Sequence, residues 1–492
     1  MQSWGAMRQL SSLDAQFLAV ESARIYGHVA FLGIYDPSSA PGGKLGGPEV
    51  KALLEARLHL LPPLRWRLVE VPLKIDLPYW ADDPDFDLEF HIRETALPAP
   101  GDDRQLAETV QRVFGRPLDR GRPLWEIYVI HGLQDGRVAL LTKIHHSAVD
   151  GLSGNEIMAV LLDPEPAGRI VDPKPQDATV ASIPGDRQML LRGLRGIPRQ
   201  PLRAIKSLPT TVAGFTDLPG ANALPGLPTL SHVYSRVRRT LGSDESTDIL
   251  EVTKARPPKT PFNGPVSAHR RFAFGSLSLD SVRQIRRDFG VTVNDVVVTL
   301  CAGAVREWLQ ERDALPEDPL VAMIPMSVRR RDERGTWGNR ISMMVVPIPT
   351  NEPDPAKRLQ RTHELLRSAK ERHSALPASL LTDATAFIPP AVASLAARNT
   401  VDILSRTRPP LNLVISNVPG PRSSLFCAGA ELLSNYPLSV IVDGVGLNIT
   451  VVSYKNRVDF GIVGDREQID DAWAFLEGAA HALSELEQLS RT

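Results

Sequence analysis

Cysteine is nearly absent: Cys301 and Cys427 are the only two in 492 residues, which argues against a disulfide scaffold and leaves no C-x-x-C motif for metal or redox chemistry. No sign of charge dominates either. Lysine and arginine total 56 against 57 aspartates and glutamates, so there is no electrostatic case for binding nucleic acid. Long apolar runs are missing as well. The best candidate, Val296 to Val305, is interrupted by glycine and soon reaches Arg306 and Glu307, well short of the ~20 residues that span a bilayer. Any membrane contact is therefore expected to be peripheral. Met1 to Arg8 lacks the apolar core of a secretion signal, and a reducing cytoplasm is the expected setting. Neither H-E-x-x-H nor G-x-S-x-G occurs, so the chain shows neither a zinc-peptidase helix nor a serine nucleophile elbow.

What is present is concentrated in Lys143-Ile144-His145-His146-Ser147-Ala148-Val149-Asp150-Gly151, an HHxxxDG pattern closing a run of strand formers. A neutral histidine at a strand end, with an ordinary pKa near ~6.5, takes a proton from a hydroxyl or amine near neutral pH. The chemistry suggested is acyl transfer. Two other readings stand beside it: such a histidine is often a hydrogen-bonded packing residue, and H-x-x-x-D can supply two metal ligands. No dense His/Cys cluster elsewhere supports a metal site.

Leu124 to Ile130 and Val138 to Ile144 are rich in strand formers, and Asp135-Gly136 between them is a two-residue hairpin signal. Counting outward from that turn places Glu126 opposite His145 and Trp125 opposite His146, and cross-strand partners share a face. Neighbouring strand residues point to opposite faces, so at most one of the two histidines lines a pocket. Ser153-Gly154-Asn155-Glu156 has capping-box spacing ahead of Ile157, Val160 and Leu161. The order is strand, His146, tight loop, helix. In that loop Gly151 supplies a backbone conformation closed to other residues. Asp150 either orients the imidazole or folds the loop by pairing with an arginine, and the structural role is favoured.

Asp163-Pro164-Glu165-Pro166 opens a proline-rich, weakly periodic region that lasts until Arg270. It reads as a crossover between domains, dividing the chain into an N-terminal domain (1–165), a linker (166–262) and a C-terminal domain (263–492). Within the linker, Arg187, Arg192, Arg195, Arg199, Arg203 and Lys206 alternate with apolar residues as far as Leu208, a mixture suited to an anionic lipid surface. Pro198 and Pro201 would break a single helix there, and solvated basic residues on a linker are the commoner case. In the second half Ser278 caps a helix that Gly290 ends, and Thr292-Val293-Asn294-Asp295 starts another. Asn294 thus sits in a first helical turn, where its amide can bond a loop or substrate beside free N–H groups. On the residues alone, an ordinary helix position is the plainer account. Leu320 to Ser327 and Ile341 to Ile348 read as buried strands, and Lys455-Asn456 as the turn of a second hairpin followed by an amphipathic helix from Asp470 to about Leu489. Hairpin-then-helix in both halves suggests two related α+β domains.

Further short motifs recur in a fixed order: Leu10-Ser11-Ser12-Leu13-Asp14 with Phe17-Leu18, Pro123-Leu124-Trp125-Glu126, Pro261-Phe262-Asn263-Gly264, Thr292 to Val296, Pro325 to Arg329, Gly338-Asn339, and Asn417 to Pro421 followed by Ala428-Gly429-Ala430. Each is weak alone. Together with HHxxxDG they resemble the bacterial bifunctional wax ester synthase/acyl-CoA:diacylglycerol acyltransferase family over almost the whole chain. Phe262 stands where leucine is usual, and Ser423-Ser424 replaces a proline-containing segment; neither touches the inferred chemistry. The resemblance implies an α+β fold of two chloramphenicol-acetyltransferase-like domains, with mixed sheets, flanking helices and an active-site tunnel between them. It makes the second histidine, His146, the general base, with His145, Asp150, Gly151, Asn294, Asp295 and Trp125 in support. It also implies acyl-CoA as co-substrate without a bound cofactor or metal, diacylglycerol as acceptor with long-chain alcohols as further acceptors, and peripheral association with the inner membrane or lipid droplets. HHxxxDG occurs too in carrier-protein-dependent condensation domains and polyketide-associated acyltransferases, the alternative reading, although no carrier domain is fused here. A lipid-droplet binding protein with a retired active site is the non-enzyme alternative, against which intact His146, Asp150, Gly151 and Asn294 speak.

Overall fold

Runs of aliphatic and β-branched residues fold into two six-stranded mixed sheets in a computed structural model that describes residues 7–149, 154–172, 183–196, 257–327, 341–374, 409 and 411–490. The first half supplies β1 (Arg8–Gln9), β2 (His28–Asp36), β3 (Trp66–Val69), β4 (Tyr79–Asp82), β5 (Ile92–Ala96), β6 (Trp125–His131) and β7 (Val138–His145). The second supplies β8 (Arg270–Ser278), β9 (Leu320–Ser327), β10 (Ile341–Ile348), β11 (Leu413–Val418), β12 (Phe426–Cys427), β13 (Ala430–Leu438), β14 (Leu447–Tyr454) and β15 (Arg457–Asp465). The sheets run β12-β13-β2-β7-β6-β5 and β10-β9-β11-β14-β15-β8, with β1-β4-β3 as a small third sheet. β12 and β13, from the far end of the chain, thus complete the sheet of the first half, Leu438 pairing with Ala30 and Glu431 with Asp36. Sheet membership does not follow the division of the sequence at 165 and 262.

β7 lies inside its sheet and is covered on both faces, which explains the apolar run Val138 to Leu141. Val138, Leu140 and Ile144 enter one core with Trp125 and Ile127, whereas Ala139 and Leu141 enter another with Ile130 and Phe274.

The helices that matter for the site are α1 (Ser12–Val20), α2 (Gly47–Arg57), α3 (Leu88–His91), α4 (Asp103–Phe114), α5 (Gly154–Leu161) and α6 (Asp186–Gly196) in the first part. The second part carries α7 (Leu279–Phe289), α8 (Val293–Gln310), α9 (Pro355–Ser374) and α10 (Trp473–Ser490). Ser278 caps α7, and Gly290 ends it in the left-handed region at φ 67°. α8 begins at a Thr292–Asp295 capping box. The apolar run from Val296 to Val305 is buried all round as the core helix of the second half, and among the described residues no single helix is long and apolar enough to cross a membrane.

The expected hairpin at Lys455-Asn456 forms, with Tyr454 opposite Arg457. The helix after it starts at Trp473 rather than Asp470, the Asp471 carboxylate accepting the Trp473 N–H at 2.9 Å.

Two expectations are corrected. Asp135-Gly136 is not a two-residue turn: β6 ends at His131, Ile130 pairs with Ala139, and the connection is a longer loop in which Gly132, Asp135 and Gly136 all take positive φ. Trp125 consequently faces Ile144, and Glu126 faces Lys143. A slip of two residues keeps every side chain on its expected face but moves it along the strand. Within the linker the described residues include α6. α6 docks on the small sheet through Met189, buried among Val69, Val71 and Tyr79, and Arg192 lies over the Tyr79 ring at 4.7 Å. Arg199, Arg203, Lys206 and Leu208 lie outside the described residues.

Candidate active site

The site is built where β7 stops. His145 is the last strand residue, opposite His28 of β2, and its N–H donates to the Leu124 carbonyl at 2.9 Å. The chain then turns through one 3-10 turn, His146–Val149, held by the His146 N–H on the Gly27 carbonyl at 2.8 Å. His145 is 1% exposed, while His146, in the turn, is only partly buried.

His145 is locked. The Ser147 N–H donates to its Nδ1 at 3.2 Å and the Ser147 hydroxyl lies 2.6 Å from the same atom. That makes Nδ1 an acceptor and places the ring proton of the neutral form on Nε2, which lies 3.1 Å from Oε1 of Glu21. The Glu21 carboxylate also accepts the Gly27 N–H at 2.8 Å and Arg120 Nη2 at 2.7 Å. Burial alone would raise the Glu21 carboxyl, but His145, Gly27 and Arg120 outweigh it and bring it down to about 2.

The same sheet face carries His28, whose Nε2 donates to the Phe114 carbonyl at 2.7 Å. Burial, reinforced by the charge of Lys143, pushes the His28 pKa well below its ordinary range. Lys143 is itself fully buried, bonded to the carbonyls of Val113 at 3.2 Å and Arg116 at 2.5 Å; desolvation lowers its amine to about 8 against the pull of Glu126. His145 therefore belongs to a buried polar layer behind the site.

His146 has different neighbours. Its ring stacks on Phe17 of α1, centroids 3.9 Å apart and planes 12° from parallel. On the sheet face opposite His145 lies an apolar cavity of about 50 Å³, lined by Phe31, Gly33, Leu140 and Thr142 from the strands, Leu54 of α2 and Met158 of α5. α5 is the helix that follows the HHxxxDG loop, so one wall of the cavity and that loop are continuous in the chain. Asp150 and Gly151 lie outside the described residues.

The other expected residues separate. Trp125 stands opposite Ile144 rather than His146. Its indole Nε1 donates to the Leu64 carbonyl at 2.7 Å, and its ring stacks on His91 of α3 at 4.3 Å, so it locks the core. Asn294, in the first turn of α8, accepts from Asn417 Nδ2 of β11 at 3.2 Å. Asp295 is buried; it closes the capping box of its own helix and bonds His363 of α9 at 2.7 Å. Asn263, from the Pro261–Gly264 motif, is a fastener, its amide donating to the carbonyls of Asn412 at 2.9 Å and Gly444 at 2.7 Å. The residues that sequence reasoning missed are Glu21, Gly27, Arg120 and His363. Only the helical spacing of Phe17 and Glu21 hinted at the first.

Residues 10–297 match the model of the wax ester synthase/diacylglycerol acyltransferase catalytic domain, and residues 337–487 that of the C-terminal domain of the same enzymes. The chain is similar to a putative diacylglycerol O-acyltransferase of Mycobacterium tuberculosis strain H37Rv, 35% identical over 490 residues, covering 99% of this chain and 91% of the relative. A probable diacylglycerol O-acyltransferase of the same strain is 34% identical over 479 residues, covering 96% and 98%. Among solved structures, the wax ester synthase/diacylglycerol acyltransferase from Marinobacter aquaeolei VT8 superposes with a TM-score of 0.67 at 28% identity over 98% of this chain and 100% of its own. The starter condensation domain of rhizomide synthetase reaches a TM-score of 0.55 at 11% identity over 99% and 95%, a likeness of fold alone.

Proposed function

Because this chain belongs to the wax ester synthase/diacylglycerol acyltransferase family, we propose that it transfers a long-chain acyl group from acyl-CoA to the free hydroxyl of diacylglycerol, giving triacylglycerol, and that long-chain alcohols serve as further acceptors, giving wax esters. The observation that carries this reading is His146 at the end of β7, next to the buried His145 and held flat by Phe17.

Neutral His146 takes the proton of the acceptor hydroxyl as its oxygen attacks the thioester carbonyl. The tetrahedral oxyanion collapses with cleavage of the carbon–sulfur bond, and the imidazolium returns the proton to the CoA thiolate. No acyl-enzyme is needed. The oxyanion requires donors, for which a backbone N–H near the turn and Asn294 are the candidates. The bond from Asn417 to the Asn294 carbonyl oxygen supports the second, because it directs the Asn294 NH2 elsewhere. The two substrates are taken to meet at His146 through a tunnel between the halves. The apolar cavity between sheet, α2 and α5 supports an acyl chain lying on the sheet face opposite His145. Asp150 and Gly151 are assigned to the architecture of the catalytic loop. The carrier-protein-dependent alternative rests on the shared HHxxxDG pattern and a likeness of fold at 11% identity.

An acceptor dissolved in lipid implies peripheral contact with an inner-membrane or droplet surface from the cytoplasmic side, and the basic segment from the end of α6 onward is the proposed contact. Arg192, exposed with its guanidinium over Tyr79, lies at the start of that segment. Each basic residue near an anionic surface contributes ~1 kcal/mol, so replacing Arg195, Arg199 and Arg203 by glutamine should reduce flotation with anionic liposomes while transfer to a short-chain alcohol survives. Unchanged flotation would reject the segment as the anchor. The central test is product analysis with purified protein, labelled palmitoyl-CoA and diacylglycerol, hexadecanol or neither. Labelled triacylglycerol is expected; CoA release without either ester would reject the reading.

A further inference from the structure

Phe17 belongs to the first motif of the chain, Leu10 to Leu18, to which no role has yet been given. It stands in the last turn of α1, four residues before Glu21, the C-cap, so the two side chains leave the helix on one side. Both reach the histidine corner. The Phe17 ring lies against His146. Glu21 acts by two routes: Oε1 contacts His145 Nε2 at 3.1 Å and accepts the Gly27 N–H at 2.8 Å, while the Gly27 carbonyl accepts the His146 N–H at 2.8 Å. Arg120 grips the other carboxylate oxygen at 2.7 Å and the Leu18 carbonyl at 2.8 Å, tying the end of α1 to the loop beyond α4. Gly27 leaves no slack, since a Cβ there would fall 2.7 Å from His145 Nε2 and 3.0 Å from the Phe17 carbonyl oxygen.

Building on the acyl-transfer reading, we propose that Phe17 and Glu21 are positioning residues for His146. Phe17 sets the plane of the imidazole, and Glu21, through Gly27 and His145, sets the backbone position from which it projects. A general base must meet its proton within hydrogen-bond reach and along a defined direction, and a displacement of ~1 Å costs on the order of 100-fold in rate. Stacking confines the imidazole to motion within its own plane. The electron-rich ring face also favours the imidazolium formed as the proton is taken.

Protein labelled with 13C at histidine Cε1 tests the geometry without turnover. The His146 signal, identified by its loss in His146→Ala, should lie upfield because it sits over the Phe17 ring. It should move downfield in Phe17→Leu and stay in Phe17→Tyr, and Glu21→Gln should move the His145 and His146 signals together. A His146 signal indifferent to both Phe17→Leu and Glu21→Gln overturns the proposal whether or not the protein is active. In kinetics, Phe17→Leu and Glu21→Gln should each lower kcat by about 10- to 100-fold, with KM for palmitoyl-CoA changed less than about threefold. Phe17→Tyr should restore turnover. In a His146→Ala background neither substitution should lower the residual rate further; equal losses with and without His146 would mark a general structural role and reject the proposal. Failure of the acyl-transfer reading looks different: no labelled ester from the native protein, with the resonance shifts intact.

Discussion

His145 and His146 are neighbours in sequence and opposites in surroundings. One ring is enclosed by Ser147 and Glu21, the other stacks on Phe17 and stays partly accessible. Loss of the His146 ring should cost ~100 to ~10,000-fold in acyl transfer at an unchanged melting temperature; a folded His146→Ala variant with near-native turnover would refute its role. His145→Ala should lower the melting temperature as well, because Glu21 and Ser147 lose a buried partner. A pH effect follows from His28. The fold holds it neutral, whereas the unfolded chain binds a proton below about 6.5, so the unfolded state carries more protons there and stability falls as pH drops through that value. Glu21 adds a second loss at lower pH: its folded carboxyl sits at about 2 against 4.5, so the stability it contributes above 4.5 disappears between those values. Urea midpoints at pH 8 and pH 5 should differ in the native protein, and the gap should narrow in His28→Gln, which keeps a donor for the Phe114 carbonyl, the remainder belonging to His91, whose pKa burial also lowers; an undiminished difference would mean that another group controls the step.

At the scale of elements, the register of β6 on β7 decides what Trp125 does. Placed opposite His146 it would line the site; placed opposite Ile144, with its indole on Leu64 and His91, it holds α3 and the Leu64 turn to the sheet. Trp125→Phe removes one buried hydrogen bond and leaves the Leu64 carbonyl unpaired, an expected loss of ~1–3 kcal/mol in stability, with kcat close to native once the variant is folded. A collapse of kcat at unchanged stability would return Trp125 to the active site. The end of α1 is the counterpart: a short helix near the start of the chain supplies the ring and the carboxylate that meet the two histidines more than a hundred positions later.

For the whole molecule, the exchange of β12 and β13 into the first sheet makes the halves interdependent. β13 covers the edge of β2 and is pinned from the second sheet, the buried Asp459 accepting the Asn435 N–H at 2.8 Å and the Ser276 hydroxyl at 2.6 Å. Contact is so close that a Cβ on Gly461 would fall 1.7 Å from the Pro437 carbonyl oxygen. A fragment ending at residue 262 would expose a long apolar strand edge, a template for aggregation. It should be recovered in inclusion bodies alone and in soluble form when co-expressed with residues 263–492. A monomeric fragment that unfolds cooperatively by itself would contradict this account.

The features that the sequence alone determined are those set within a few residues: the strand run that ends at His145 and His146, the Ser278 and Thr292 caps, the Gly290 stop, the hairpin at Lys455-Asn456, and the ordered motifs that identify the family. Each follows from local geometry, in which a period of two or of about four residues and one cap side chain suffice. Tertiary structure alone decided the remainder. The pairing of β6 with β7 depended on how many residues the connection consumed, and positive φ at Gly132, Asp135 and Gly136 lengthened it beyond what Asp135-Gly136 implies. Asp295 and Trp125 became structural because distant partners, His363 and Leu64, came to meet them. Strand exchange and the grip of Glu21 and Phe17 on the histidines arise from burying one sheet edge and one charge that nothing nearby in the sequence can satisfy, so their solution lies hundreds of residues away in one case and across the fold in the other.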